Sequence, residues 1–402
     1  MLAAAAIPRR RLLAQRLWGP GAADAPAAVK ALLAVQAQEY AYARWSLAQR
    51  CAGSGQDDAG AVDSAIRGGT VLRTHVLRPT WHFVHRGDLR WLMMLSAPRL
   101  RAGNTSRDRQ LGIDADTVCS SNDVLGAVVA DGRNATREDL AAALEQAGLL
   151  PDTGEKLMGS PLRNQRLAHL VYHAELDEVL VSGVPRPTPG GTVRQTYAAF
   201  DERVPRLSCG FDRDTALAML VRRYFSGHGP ATVKDCALWS RLTQSDVRRG
   251  LAVSAGCADG AAGVDSAGVD YSGVDSAVVD GHEFLWFDDG GSPARGPRSP
   301  RVDLIQCYDE YVMGYTPTRG YLGGAAPAPA NAKVPSHVVL LDGRMIGNWQ
   351  HALKPGTAVV NLLLHRTLED GEEQALHSAL ERYRTFLARP LSADISVRAA
   401  AG

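Results

Sequence analysis

Two glutamines flank one small residue in the stretch Leu32-Leu33-Ala34-Val35-Gln36-Ala37-Gln38-Glu39-Tyr40. A glutamine cannot take a proton at neutral pH, but its carbonyl accepts hydrogen bonds and its amide donates two. Two such side chains aimed at one centre can hold a water and steady a developing positive charge through their dipoles. Geometry restricts where this works. Residues at i and i+2 do not share a face of a helix, whereas in an extended segment they do. A joint role for Gln36 and Gln38 therefore requires the apolar, helix-like run before them to end or distort near Val35. Most Gln-x-Gln pairs are solvated surface, so the surroundings decide between the two readings.

Those surroundings are basic and modular. The segment Pro8–Leu17 has helical leucine spacing and carries Arg9, Arg10 and Arg11. After the glutamines, Thr70–Arg78 and Thr80–Val84 are rich in strand formers and broken at Pro79, which predicts a hairpin. It carries Arg73, His75, Arg78, His82, His85 and Arg86, a set suited to a phosphate backbone or to a solvated wing. His82, between Trp81 and Phe83, fits either a support for a glutamine or a DNA contact, or else a packed strand residue. Helices preceding a hairpin predict a winged-helix unit, and the same order recurs twice. In the second unit Thr136-Arg137-Glu138-Asp139 resembles a capping box, and Val179–Val181 and Thr196–Tyr197 frame a hairpin. In the third, Thr232 and Thr243 start two helices of a helix-turn-helix, the second carrying Arg248 and Arg249, before a strand at Phe284–Phe287.

The expected fold is α+β: three winged-helix units over 1–118, 119–208 and 209–289, then a β-rich domain over 301–402 with a closing helix from Glu372 to Leu387. Asp342-Gly343 predicts a tight turn between two of its strands. A loop over 314–335 holds Arg319 and Lys333, and long loops of this composition are often functional. The stretch 254–281, with its Gly-Val-Asp pentapeptide tandem, is expected to be a flexible acidic loop without a chemical role.

Bulk properties narrow the class. The 402 residues carry a formal net charge of +1, so any nucleic-acid contact depends on a local basic face. Six cysteines without a CxxC pair argue against a zinc ribbon, a redox motif or a disulfide framework. No apolar run reaches the length of a membrane span, and the arginines follow the apolar start rather than precede it, so a cytoplasmic protein is expected.

Several stretches together resemble the AlkZ-like family of winged-helix DNA glycosylases. They are Arg-Leu-Leu-Ala-Gln-Arg-Leu at 11–17, Val-Gln-Ala-Gln at 35–38 and Leu-Arg-Pro-Thr-Trp-His-Phe-Val at 77–84. To these add Gly-Pro-Ala-Thr at 229–232, Tyr-Asp-Glu-Tyr-Val-Met-Gly-Tyr at 308–315 and Val-Leu-Leu-Asp-Gly-Arg-Met-Ile-Gly-Asn-Trp at 339–349. The resemblance implies three tandem winged helices with a β-barrel in a concave DNA-binding shape. It implies excision of N7-alkylated purines, including bulky adducts and interstrand crosslinks, in repair or in self-resistance to a DNA-alkylating natural product. It places Gln36 and Gln38 on the first and last positions of the family's Gln-Φ-Gln catalytic motif, with alanine as an unusually small Φ. The implied enzyme is a monofunctional glycosylase, a monomer without cofactor, metal or membrane, whose partner is double-stranded DNA containing alkylated purines. The contacts assigned to DNA are Arg73, His75, Arg78 and Arg86, then Arg248, Arg249 and Arg319. The alternative is a non-catalytic winged-helix protein, a transcription regulator or a lesion binder. A metal reading rests on His169 and His173 near Glu175, which lack the HExxH order.

Overall fold

A computed structural model describes the chain except residues 1, 53–57, 152–153, 189–192, 209–210, 260–272, 288–299, 324–336 and 398–402. The architecture is α+β. It divides into two compact units, one formed by 1–63 with 217–402 and the other by 64–216.

The first unit begins with the helix Ile7–Ala14, whose arginines are not all surface charges. Arg11 is fully buried, its guanidinium bonded to Pro230 O at 2.9 Å and Thr318 Oγ1 at 2.7 Å and lying over the Tyr315 ring. The helix Ala25–Leu32 is capped by Asp24, which accepts from Ala27 N, with proline tolerated in the first turn. It ends where the glutamine geometry requires. Leu33 takes a φ of 70°, unfavourable for an L-residue, and the chain continues as the short strand Ala34–Gln36. Two outside groups fix this end. Arg223 donates to Lys30 O, and a Cβ added at Gly227 would lie 2.3 Å from Ala31 O, so the helix Arg213–His228 packs too closely there for any side chain. The helix Tyr40–Ala48 follows.

The C-terminal part is a five-stranded sheet of Val302–Ile305, His337–Leu341, Arg344–Lys354, Thr357–Leu364 and Leu391–Val397, in that spatial order. The first four pair antiparallel and the last pairs parallel with Thr357–Leu364. Ala358, Val360, Leu362 and Leu364 alternate inward, the period of a half-buried strand. The barrel expected from this region does not close: among the described residues the first and last strands are the two edges. The helix Asp370–Leu387 is the crossover that the parallel pairing of Thr357–Leu364 with Leu391–Val397 requires, and it lies against the first strand, with Arg382 bonded to Val302 O. Of the expected acidic loop at 254–281, the first residues finish the helix Gln244–Asp259 and Asp275–Val279 pairs with His282–Trp286. The tandem itself lies largely outside the described residues, as does Lys333.

One side of the sheet carries stacked rings. Tyr42 lies between His337 and His351, with centroids at 3.6 and 4.0 Å, and the Tyr383 hydroxyl meets His351 Nδ1. Burial, with His337 and Arg389 adding to it, holds the His351 imidazole down at about 4. The folded protein therefore keeps His351 neutral where the unfolded chain takes up a proton. Stability from this group is full above its unfolded value near 6.5 and is lost as pH falls toward 4, by at most about 3 kcal/mol. We expect denaturant titrations to show this acid limb and His351→Gln, which keeps a partner for Tyr383, to flatten it. An unchanged limb would remove His351 as its source.

The second unit surrounds a core that includes Leu125, Leu140, Leu144, Leu170 and Leu180. The predicted hairpin is present as Val71–His75 and Trp81–His85, with Thr74 opposite His82. The capping box at Thr136 starts Arg137–Gln146 as expected. The helix after the hairpin runs from Arg86 to Gln110 through Pro98, and the next begins at Ala115, capped by Asp114.

Candidate active site

Gln36 ends the strand Ala34–Gln36, and Gln38 lies two residues further, in a bend before the helix Tyr40–Ala48. Their exposures differ sharply: Gln36 is 2% exposed and Gln38 is open to solvent. The pair is thus built as one inward and one outward amide on non-helical backbone. The condition set by the i, i+2 spacing is met in part: no straight helix runs through them, but the strand ends at Gln36, and the two side chains differ in burial instead of sharing one face.

The backbone of Gln36 is held from both sides by one distant segment. Its N–H donates to Glu310 Oε1 at 3.0 Å, and Gln306 Nε2 donates to its carbonyl at 3.1 Å. Glu310 is fully buried and its other oxygen accepts from Trp239 Nε1 at 2.6 Å, with His228 Nε2 at 3.4 Å. Neighbouring Asp309 accepts from both Nη atoms of Arg50, at 2.7 and 3.0 Å, and from Ser46 Oγ. Tyr315, further along the same segment, accepts from Gln15 and donates to His228 O. In the sequence, two adjacent carboxylates, Asp309 and Glu310, fall within one short, otherwise apolar run, the local signal that they have fixed partners.

Beyond Gln38 the surroundings are polar but lack an activated nucleophile among the described groups. Glu39, partly exposed, pairs with His337 Nε2 at 3.3 Å. Burial, reinforced by Glu39, pushes the Cys307 thiol up to about 12, so it stays protonated at neutral pH. Burial likewise pushes the Tyr42 hydroxyl up to about 12.

The cations assigned to DNA fall in different settings. In the second unit, Arg73 meets Gln195 and lies 4.4 Å from the Trp81 ring centroid, and His75 Nδ1 pairs with buried Glu175 at 2.5 Å. His82 is fully buried, with Nδ1 2.8 Å from Thr80 O, while Arg78 and Arg86 are half-buried. In the first unit, Arg319 donates to Val312 O and is half-buried, and Arg248 and Arg249 are both exposed on the helix Gln244–Asp259. His169 and His173 both meet Asp108, at 3.2 and 3.1 Å. Among the described residues no group of three or more metal-ligating side chains is placed to hold an ion.

Comparison with known proteins places this arrangement. A profile described as "DNA glycosylase AlkZ-like" matches residues 29–386, which takes in the glutamine pair and the segment that holds it. The chain belongs to the AlkZ-like DNA glycosylase family. Its fold is similar to the solved structure of the Streptomyces sahachiroi DNA glycosylase AlkZ, with a TM-score of 0.68 and 18% identity over 98% of this chain and 100% of that one. At that identity the likeness concerns the fold. No curated protein sequence matches the chain. In this AlkZ-like chain no described helix is long and apolar enough to cross a membrane.

Proposed function

We propose that the protein is a monofunctional DNA glycosylase that hydrolyses the N-glycosidic bond of N7-alkylated purines, bulky adducts and interstrand crosslinks among them. The observation that carries this reading is the break at Leu33, which takes Gln36 and Gln38 off the helix, Gln36 at the end of a strand and buried, Gln38 in the following bend and exposed to solvent. Gln38 orients the water that attacks C1′. Gln36 orients Gln38 or the sugar. Alkylation at N7 already makes the base a cationic leaving group, so placement of water and dipoles replaces proton donation. The motif contains no lysine to form a Schiff base with the sugar. A base tied to both strands cannot be flipped into a closed pocket, and Gln38 in the open suits such a lesion.

The helices Val233–Ser240 and Gln244–Asp259, joined by three residues with Arg241 left-handed, fit a helix-turn-helix in a winged unit. Arg248 and Arg249 on the second helix are the phosphate contacts we favour, because both are exposed. If both meet phosphates, the double Arg248→Ala/Arg249→Ala variant should lower the slope of log K against log salt by about 2. An unchanged slope in a duplex-binding titration would remove them from the interface.

The reading is tested with an oligonucleotide duplex carrying one N7-methylguanine and a second carrying a bulky N7 crosslink. Base release with strand breakage only after alkali is the expected result. Breakage without alkali would show lyase chemistry. Absence of release from either duplex, with tight binding to an undamaged sequence, would leave a non-catalytic DNA-binding protein.

A further inference from the structure

We propose that Glu310 and Gln306 are positioning residues for base excision, holding Gln36 by its backbone so that the catalytic pair keeps its register; this rests on the glycosylase reading above. The strand that carries Gln36 is only three residues long, Ala34–Gln36, and follows Leu33 with its φ of 70°. Glu310 takes the Gln36 N–H at 3.0 Å and Gln306 supplies a donor to the Gln36 carbonyl at 3.1 Å, one on each side of the residue. Both side chains are fully buried, where a hydrogen bond is costly to break and strongly directional. Glu310 is itself oriented, because its second oxygen accepts from Trp239 Nε1 at 2.6 Å. Trp239 therefore fixes the orientation of the carboxylate that faces the motif.

That last contact supplies the test. In Glu310→Gln, one end of the amide is a donor and must face either the Gln36 N–H or the Trp239 N–H, so one of the two bonds is lost. Removing the indole N–H with Trp239→Phe lets the amide oxygen return to Gln36. Single-turnover base release from an N7-methylguanine duplex is measured for wild type, Gln38→Ala, Glu310→Gln, Trp239→Phe and the double variant, alongside duplex affinity and thermal melting. We expect Glu310→Gln to slow release by about tenfold or more, without matching loss of duplex affinity. The double variant should recover the rate of Trp239→Phe. Should Glu310→Gln fail to fold, Gln306→Met, which removes only the donor to the Gln36 carbonyl, should show the same loss of rate at unchanged affinity.

Release by Glu310→Gln at the wild-type rate overturns the proposal. So does a fall that Trp239→Phe deepens instead of restoring, since a purely structural carboxylate would behave that way. Should the Glu310 variant fold poorly, full activity in Gln306→Met overturns it. Failure of the glycosylase reading looks different: wild type releases no base, or Gln38→Ala releases it as fast as wild type.

Discussion

Gln38→Ala is expected to slow base release by about 10²- to 10³-fold, the range for removing one preorganised polar group at a reacting centre, while leaving folding and duplex affinity nearly intact. Gln38 is exposed and ends no regular element, so truncation opens no core cavity. The effect should lie in the single-turnover rate rather than in substrate binding. Gln38→Glu keeps an acceptor for the water and adds negative charge facing the sugar cation, so it should retain more activity than alanine. Gln36→Ala differs in kind. Gln36 is 2% exposed, and truncating it empties buried space beside the segment that holds its backbone, so activity and stability should fall together, the latter by about 1–3 kcal/mol. Equal rates for Gln38→Ala and wild type on the N7-methylguanine duplex would take the motif out of the reaction.

What the sequence disclosed about this site was local. The helix stop before Gln36 is expected because a helix would hold i and i+2 on different faces, and the stop is at Leu33; the bend that then separates Gln38 from the strand has no such signal. Caps at Asp24, Thr136 and Thr232 and the Asp342-Gly343 turn are likewise written in a few adjacent residues. Glu310 lies 274 positions from the backbone it holds, and nothing near either residue encodes the meeting. The same limit explains the basic segments. Arg11 and Arg73 have the composition of a nucleic-acid surface, yet Arg11 is buried on Thr318 and Tyr315 and Arg73 is stacked on Trp81. Guanidinium groups serve both purposes, and only the distant partner separates them. Barrel closure meets a similar limit: strand composition shows that a sheet forms but not whether its edge strands meet, and among the described residues the first and last strands stay the two edges.

The largest stability effect should come from the ion pair beneath the motif. Arg50 and Asp309 have side chains 1% and 0% exposed and are joined by two bonds of 2.7 and 3.0 Å. Arg50 also donates to Gln15 O and Ser46 O, and Asp309 accepts from Ser46 Oγ and Tyr311 N. Such a pair adds little over an apolar replacement, but losing one member strands a charge out of water and costs about 3–5 kcal/mol. Arg50→Met and Asp309→Ala are each expected to lower the thermal midpoint by about 6 °C or more. The double variant Arg50→Met/Asp309→Asn, which removes both charges, keeps an amide oxygen for the Tyr311 N–H and turns an amide N–H toward Ser46 Oγ, should recover much of that loss. The pair also bears on the chemistry. Asp309 caps the short helix Glu310–Met313 that presents Glu310 to Gln36, so each single variant should lose base release even below its melting point. Single variants within about 1 kcal/mol of wild type would mean that water reaches this pair, and that the segment holding Gln36 draws its rigidity from elsewhere.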